Sequence, residues 1–191
     1  MQRLRGRRTR YRYSDANFVL AQRVVEALGL RFTRFTPLAH YPADQIVPTE
    51  DDYRWRHQLV HGFVHDETAA LLGGVAGHAG LFSNAEDLAV MFQMLLNGGT
   101  YGGKQFLKSE TIEYFTSASH GNHRGLGFDK PEEDDIEEGG YPEAISERTY
   151  GHTGFTGTCV WVDPDEELIY IFLSNRIHPD RSNRKLFKDK V

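Results

Sequence analysis

The sequence is poor in cysteine, with Cys159 alone among its 191 residues. One thiol cannot close a disulfide within the chain, and it cannot assemble a cysteine-based metal cluster. Cys159 lies in a segment predicted to be a strand, where cysteine is more often a small buried apolar group than a nucleophile. The scarcity of cysteine therefore excludes a scaffold held together by disulfides.

Long apolar runs are lacking as well. The longest, such as LIYIFL at 168–173, are far shorter than the ~20 residues of a membrane-spanning helix. The charged N-terminal residues are not followed by the apolar stretch of a secretory signal. Hydrophobic residues make up 39% of the chain and charged residues 26%, which is ordinary for a globular domain. We expect no membrane span.

Residues 1–12 contain six arginines and no acidic side chain, although the net charge of the whole chain is −5. Arginines interleaved with Tyr11 could form a nucleic-acid-binding arm. The rest of the chain is acidic and would repel a phosphate backbone, so no nucleic-acid partner is predicted. The acidic stretch PEEDDIEEGG at 131–140 is interpreted as a solvated loop.

Three segments are predicted to be helices: YSDANFVLAQRVVEALGL (13–30), SNAEDLAVMFQMLLNGG (83–99) and KSETIEYFTS (108–117). Gly29 is predicted to end the first helix. Ser83 and Glu86 form a capping box for the second, and Ser109 caps the third. Residues 31–60 contain three prolines and are predicted to have little regular structure.

The pattern changes after the acidic loop. GTCVWVDPDEELIYIFLSN at 157–175 predicts a strand, a tight turn at Asp163–Glu166 and a second strand, because both arms are rich in β-branched and aromatic residues. Helices followed by antiparallel strands predict the α+β class, with helices packed on an antiparallel sheet. We interpret the chain as one truncated domain over 1–191, with a basic arm (1–12), a mainly helical part (13–118), an acidic loop (129–148), a sheet hairpin (149–175) and a charged tail (176–191).

A resemblance to a known family is carried by three stretches, in this order: Tyr13-Ser14-Asp15, residues 73–99, and Tyr150-Gly151-His152-Thr153-Gly154. Together they resemble the serine β-lactamase and penicillin-binding-protein superfamily, in particular its class C-like branch with many esterases and D-amino peptidases. VHDETAALLGGVAGHAGLFS and GHTGFTGTCVWVDP most resemble the domain that some bacteria fuse to a family-3 glycoside hydrolase acting on cell-wall sugars. The resemblance implies an incomplete β-lactamase/DD-peptidase-like fold of the three-layer α/β type.

The first stretch resembles the Tyr-x-Asn element of that branch, which implies catalytic roles for Tyr13 and Asp15. Acyl transfer through a serine needs a base to take the hydroxyl proton. A free tyrosine titrates near pH ~10, so Tyr13 would act as a base at neutral pH only where nearby cations stabilise its phenolate. Asp15, in the third position, would help to fix such a cation by hydrogen bonding.

His152-Thr153-Gly154 resembles the Lys-Thr-Gly element, with histidine in place of lysine. The resemblance implies that the catalytic residue His152 supplies an adjustable positive charge. Thr153 would hydrogen-bond a substrate carboxylate or carbonyl, and Gly154 would let the substrate backbone approach. The N–H of Phe155 would then donate to the oxyanion.

Each of these residues also has a purely structural interpretation. Tyr13 could be a half-buried aromatic residue at a helix entry, and Asp15 could be an N-cap. His152 and Thr153 could be polar residues at a sheet edge. A class A-like alignment, which takes Ser14-Asp15-Ala16 as a degenerate Ser-Asp-Asn, fits the flanks less well. If the site interpretation is right, Tyr13 and His152 should face each other across one cleft.

The family's nucleophile is not found where the resemblance would place it. Its Ser-x-x-Lys lies upstream of Tyr-x-Asn, and none of the residues before Tyr13 is serine or lysine. The motif Ser182-Asn183-Arg184-Lys185 lies in the charged tail and is not interpreted as the nucleophile. We therefore expect this chain to be the C-terminal portion of a hydrolase domain, inactive alone, whose missing N-terminal part is its partner.

His57, His61 and His65 are spaced by four residues, which would stack them on one face of a helix and could bind zinc. Gly62 interrupts such a helix, and the family-like flanks account for the segment without a metal; Val64-His65-Asp66 could instead lie near the substrate cleft. No metal and no cofactor is therefore predicted.

The sequence thus predicts part of a serine hydrolase of the β-lactamase/penicillin-binding-protein type. It would cleave an amide or ester of a small-molecule or peptidoglycan-like substrate through an acyl-enzyme. The alternative is a non-catalytic module that binds cell-wall peptides or sugars. The resemblance further implies a periplasmic or cell-envelope location and a fused glycoside hydrolase domain as a second partner.

Overall fold

The computed structural model describes residues 24–118, 124–131 and 145–183. The α-helices whose two ends both lie in these ranges are α1 (Glu67–Leu71), α2 (Ala85–Leu96) and α3 (Ser109–Thr116). The strands in the same ranges are β1 (Arg34–Phe35), β2 (Pro48–Asp52), β3 (Gln58–His61), β4 (Leu81–Phe82), β5 (Thr100–Tyr101), β6 (Lys104–Gln105), β7 (Tyr150–Gly154), β8 (Thr158–Asp163) and β9 (Leu168–Phe172).

Strands β7, β8 and β9 form an antiparallel sheet in that order. His152 lies opposite Val160, which in turn lies opposite Ile171, so alternate residues of the three strands share a face. On that same face Val162 is fully buried, and helix α2 contacts β9. Helices packed on an antiparallel sheet confirm the predicted α+β class.

The predicted turn between β8 and β9 is confirmed, and it is closed by Asp163. This buried carboxylate accepts hydrogen bonds from the Asp165 N–H at 3.1 Å, the Ser146 N–H at 2.8 Å and the Ser146 hydroxyl at 2.6 Å. Burial alone would raise the pKa of Asp163, but these hydrogen bonds outweigh it and lower the pKa to about 2. The carboxylate is therefore ionised and ties residue 146 to the sheet.

The first predicted helix ends as expected, and its last turn belongs to the core. Residues 24–27 are helical, whereas the start of this helix lies outside the described residues. Leu28 and Leu30 pack with Met94 of α2 in one buried cluster. This cluster joins residues 28–30 to α2, the helix that contacts β9 of the sheet.

The second and third helices are confirmed, but their predicted caps are wrong. The N-cap of α2 is Asn84, whose side chain accepts the Asp87 N–H at 2.9 Å, rather than Ser83. The Ser83 hydroxyl instead lies 2.8 Å from the Thr33 hydroxyl. The residue before α3 is Lys108, with no side-chain cap, so the capping role predicted for Ser109 is also wrong.

The prediction of little regular structure over 31–60 is wrong, because β2 and β3 form an antiparallel hairpin. Its buried side chains are Thr49, Glu50, Asp52 and Val60. Three of these four are polar, so the hairpin lacks the apolar alternation by which strands are recognised in a sequence. No helix in the described part of the chain is long and apolar enough to cross a bilayer.

Candidate functional site

Strand β7 presents the predicted wall residues at the outer edge of the sheet. Tyr150 and Gly151 are buried, whereas His152 and Thr153 are exposed. A Cβ at Gly151 would collide with the Val160 carbonyl and the Trp161 ring, so glycine lets β7 lie close against β8. The change from buried to exposed residues puts the polar part of the motif in contact with solvent.

The imidazole of His152 is held between a carbonyl and a guanidinium group. Its Nδ1 lies 2.7 Å from the Thr153 carbonyl oxygen, and its Nε2 lies 3.2 Å from Nη2 of Arg124. A carbonyl accepts and a guanidinium donates, so the hydrogen is on Nδ1 and Nε2 is the acceptor. Arg124 also pairs with Asp129 at 3.4 Å. The permanent positive charge of Arg124 thus lies beside His152, the residue that was predicted to supply an adjustable positive charge.

The turn after β7 is tight and presents Phe155. Gly157 donates to the Gly154 carbonyl at 2.9 Å and has a φ of 93°, a conformation that favours glycine. The Thr156 carbonyl accepts the Arg176 N–H at 3.0 Å. Among the described residues we find no partner for the Phe155 N–H. The turn is therefore anchored on both sides, and the Phe155 N–H is among its donors that have no partner in the described part of the chain.

A cavity of about 1320 Å³ opens beside this turn. Its wall is formed by parts of residues 32–49, 64–67 and 76–85, together with the β7–β8 turn and residues 173–175. Gly154 and Phe155 line it, whereas His152 and Thr153 are not among the described lining residues. Two of the four predicted wall residues thus line the cavity, and the other two are exposed on β7 at the edge of the sheet.

Phe155 is 57% exposed and contacts two cationic or ionisable side chains. Its ring stacks on the imidazole of His65, with ring centroids 5.1 Å apart and planes 12° apart. The guanidinium of Arg176 lies 4.4 Å from the same ring centroid, within cation–π range. These two contacts hold Phe155 in place although much of its surface faces solvent.

His65 is in turn bound by a buried carboxylate. Glu50 is 2% exposed and accepts from His65 Nδ1 at 2.8 Å, from Arg56 Nη2 at 3.1 Å, and from Arg181 Nε at 2.9 Å and Nη2 at 3.1 Å. Arg181 also binds Glu67 at 2.8 Å. Hydrogen bonds to these two carboxylates raise the pKa of Arg181, although burial alone would lower it. We call Glu50, His65, Arg56 and Arg181 the Glu50 cluster.

Arg56 links the cluster to the backbone of the loop after β3. Its Nη1 donates to the Val64 carbonyl and its Nη2 to the His65 carbonyl, both at 2.7 Å. Its Nε binds Asp52 at 2.7 Å. Burial raises the pKa of Asp52, but this bond and three backbone N–H groups lower it well below its ordinary value. The charges around Arg56 are thus compensated.

A second carboxylate–histidine pair lies on the cavity wall. Asp66 Oδ1 accepts the Ala69 N–H at 2.8 Å, which caps α1, and lies 3.0 Å from His78 Nε2. The Ala69 N–H is the main reason that the pKa of Asp66 is lowered; burial opposes it, and His78 adds to it. Asp66 was considered near the substrate cleft as part of Val64-His65-Asp66, but its pairing with His78 was not predicted, and only the fold brings the two residues together.

The helical arrangement considered for three histidines is wrong. Residues 58–61 form β3, and Gly62 begins a loop, so the stacking on one helix face does not occur. His61 Nε2 contacts the Ile46 carbonyl at 2.6 Å, whereas His65 binds Glu50. No group of three metal-binding side chains is found within 24–118, 124–131 and 145–183.

Tyr13 and Asp15 lie outside the described residues, so the predicted approach of Tyr13 to His152 stays a prediction. Ser182 lies after the sheet and is itself exposed, and its N–H donates to Asp180 at 2.7 Å. His65 was considered near the substrate cleft as part of Val64-His65-Asp66, whereas Arg124 and Glu50 were missed as site residues. Each depends on a partner 15 or more residues away, which no local pattern reveals.

The chain is similar to known proteins over nearly its whole length. A family profile described as Beta-lactamase matches residues 2–190. The "Putative D-alanyl-D-alanine carboxypeptidase" of Escherichia coli (strain K12) is 36% identical over 196 residues, which cover 87% of this chain and 45% of that protein. The protein of the same name from Salmonella gallinarum is 33% identical and covers 94% and 48%. The chain spans about half the length of these curated relatives.

Solved structures agree with this fold. A penicillin-binding protein homolog from Caulobacter crescentus has a TM-score of 0.53 at 19% identity, covering 83% of this chain and 46% of that one. EstCE1, described as a hydrolase with promiscuous acyltransferase activity, has a TM-score of 0.51 at 18% identity, covering 81% and 44%. The family match, the carboxypeptidase-like relatives and the shared fold agree, and the chain therefore belongs to the beta-lactamase family, of the serine β-lactamase and penicillin-binding-protein type.

Proposed function

We propose that this chain forms the substrate-facing portion of a cell-wall serine hydrolase, which opens an amide or ester through an acyl-enzyme. Membership of the family and the carboxypeptidase name of the relatives support a substrate that ends in D-alanyl-D-alanine or resembles it. The observation that carries the proposal is the turn after β7, which presents Phe155 beside a cavity of about 1320 Å³, with an N–H that no described residue accepts. A preorganised N–H of this kind is what an oxyanion requires.

The residues of β7, of the turn after it and of the Tyr13 stretch would have different roles in the reaction. The Phe155 N–H would stabilise the oxyanion, and Gly154 would let the substrate backbone approach. Thr153, exposed at the strand edge, would bind the substrate carboxylate. His152, with Arg124 beside it at 3.2 Å, would add positive charge for the same group. Tyr13, assisted by Asp15, would serve as the base-side residue.

We further propose that the nucleophilic serine belongs to a part of the domain outside these 191 residues, so that the chain alone does not turn over substrate. A peptidoglycan-like substrate places the whole protein in the periplasm or cell envelope. A fused glycoside hydrolase that acts on cell-wall sugars would supply a neighbouring activity on the same polymer. No metal or cofactor takes part in the proposed reaction.

The test is binding without turnover. Titration of the 15N-labelled chain with N-acetyl-D-alanyl-D-alanine should shift the amide resonances of 152–155. Thr153→Val should weaken binding at least about tenfold, because one hydrogen bond to a charged group contributes about 1.5–3 kcal/mol. Thr111→Val, an exposed position on α3, is the matched control.

A hydrolysis assay completes this test. The chain should not cleave a chromogenic cephalosporin or a p-nitrophenyl ester faster than its Ser182→Ala variant does. Dipeptide shifts confined to other parts of the chain would overturn the proposal. Binding of a cell-wall sugar in place of the dipeptide would favour the non-catalytic module instead.

A further inference from the structure

His65 connects the Glu50 cluster to the turn after β7, because its ring stacks on the ring of Phe155. Its side chain is 11% exposed and lines the cavity, whereas the Glu50 side chain is 2% exposed and is not among the described lining residues. The buried carboxylate of Glu50 thus binds a histidine, His65, that forms part of the cavity wall. This is the arrangement by which a carboxylate orients an imidazole toward a ligand.

The hydrogen bonds around Glu50 fix which nitrogen of His65 faces that ligand. Two guanidinium groups donate to the carboxylate, so its oxygens act as acceptors, and His65 Nδ1 must carry the hydrogen that it shares with Glu50 at 2.8 Å. In the neutral imidazole Nε2 is then an acceptor. Among the described residues, Nε2 has no hydrogen-bond partner.

The ring is also held in orientation and in position. The 12° angle to the Phe155 ring fixes its plane. The two 2.7 Å bonds from Arg56 fix the Val64 and His65 carbonyls. Because Nδ1 is turned toward the buried carboxylate, the ring edge that carries Nε2 faces away from Glu50, and His65 lines the cavity. An acceptor that is fixed before the ligand arrives costs little ordering on binding.

We infer that His65 is a ligand-binding residue, whose Nε2 accepts a hydrogen bond from an amide N–H of a peptide bound in the cavity next to Phe155. Glu50 is the positioning residue that sets the required tautomer. The inference rests on the proposed function for its ligand class, an acylated dipeptide. The contact assigned to His65 is with a backbone N–H of the peptide, a group that D and L peptides both have.

Two variants of His65 separate the acceptor from the other two roles of the ring. His65→Phe keeps a flat ring against Phe155 but has neither nitrogen. His65→Asn places an amide N–H where Nδ1 was, so the bond to Glu50 is retained, but it lacks Nε2 and the stack. Both variants lack Nε2. The phenylalanine variant keeps only the stack on Phe155, and the asparagine variant keeps only the bond to Glu50. His40→Phe, at an exposed histidine outside the cavity wall, is the control.

The dissociation constants of N-acetyl-D-alanyl-D-alanine and of its L,L enantiomer are measured by NMR titration, and a melting curve checks that each variant is folded. Both His65 variants should bind about fivefold more weakly than the native chain, equivalent to about 1 kcal/mol at 25 °C. His40→Phe should bind as the native chain does. Long-range 1H–15N spectra should show His65 protonated on Nδ1 in the free protein.

The outcomes distinguish this inference from the proposed function. Native affinity in either folded His65 variant, or an Nε2–H tautomer, overturns the role of His65 even if the D,D dipeptide binds. If the chain does not prefer the D,D peptide but both His65 variants still weaken binding, the proposed substrate is wrong and the role of His65 stands. Failure of the native chain to bind either peptide overturns both.

Discussion

The β7–β8–β9 sheet and the β2–β3 hairpin are both antiparallel, but they are stabilised by different forces. In the sheet the buried side chains are mostly apolar, such as Val160 and Val162. In the hairpin Glu50 and Asp52 are each 2% exposed and are compensated by arginines. Apolar burial is favourable wherever it occurs, whereas a buried charge is tolerated only when its partners are in place. The hairpin therefore depends on distant residues in a way that the sheet does not.

The largest effect should come from removing the carboxylate at the centre of the Glu50 cluster. Glu50→Ala leaves Arg56 and Arg181 without their shared acceptor, which should lower the free energy of unfolding by about 3–5 kcal/mol. Glu113→Ala, an exposed position on α3, should change it by less than about 0.5 kcal/mol. Urea unfolding monitored by tryptophan fluorescence measures both. Equal effects at the two positions would show that the hairpin is not held by its buried charges.

Acid should weaken the sheet through its one strongly hydrogen-bonded turn carboxylate. The pKa of Asp163 is lowered to about 2 in the folded chain, from 3.8 in an unperturbed side chain. A lowered folded pKa adds stability above the unfolded pKa, and this stability is lost as the pH falls through about 4 toward 2. The shift corresponds to about 2 kcal/mol at neutral pH.

Asp163→Asn should therefore lower the free energy of unfolding at neutral pH by about 2 kcal/mol and flatten its pH dependence below about pH 4. Asp165→Asn, in the same turn but 44% exposed, is the matched control and should keep the native slope. Urea midpoints across the acid range measure both variants. An unchanged slope in Asp163→Asn would show that other carboxylates are responsible for the acid sensitivity.

The contrast between the two regions also explains how much of the fold could be predicted. The β8–β9 hairpin was predicted because its arms are rich in β-branched and aromatic residues and because Asp163–Glu166 is a recognisable turn. The β2–β3 hairpin was missed because PTEDD, the sequence of β2, is typical of a loop. Glu50 is buried against several partners, and one of them, Arg181, lies 131 residues later in the sequence and meets it only in the folded chain.

The candidate site likewise has one part that the sequence reveals and another part that only the tertiary structure reveals. His152, Thr153, Gly154 and Phe155 form a contiguous motif, so a sequence comparison finds them together. His65 was noticed for its spacing from two other histidines, which indicated a helix that does not form, and as part of Val64-His65-Asp66, which was considered near the substrate cleft without any assigned contact. Its contacts with Glu50 and Phe155 join residues 15 and 90 positions away along the sequence, and only the tertiary fold brings them together.

The smallest effect should come from an ion pair that joins the sheet to the segment before it. Arg148 Nη1 lies 2.8 Å from Asp165 Oδ1, but the two side chains are 68% and 44% exposed, so water and salt screen the attraction. A double-mutant cycle of Arg148→Ala and Asp165→Ala should give a coupling of less than about 0.5 kcal/mol. Its short distance resembles the distances around Glu50, and the two sites differ mainly in burial. A coupling above about 1.5 kcal/mol would show that burial does not separate strong from weak charge pairs in this protein, and the Glu50 cluster would then owe its strength to the number of its partners.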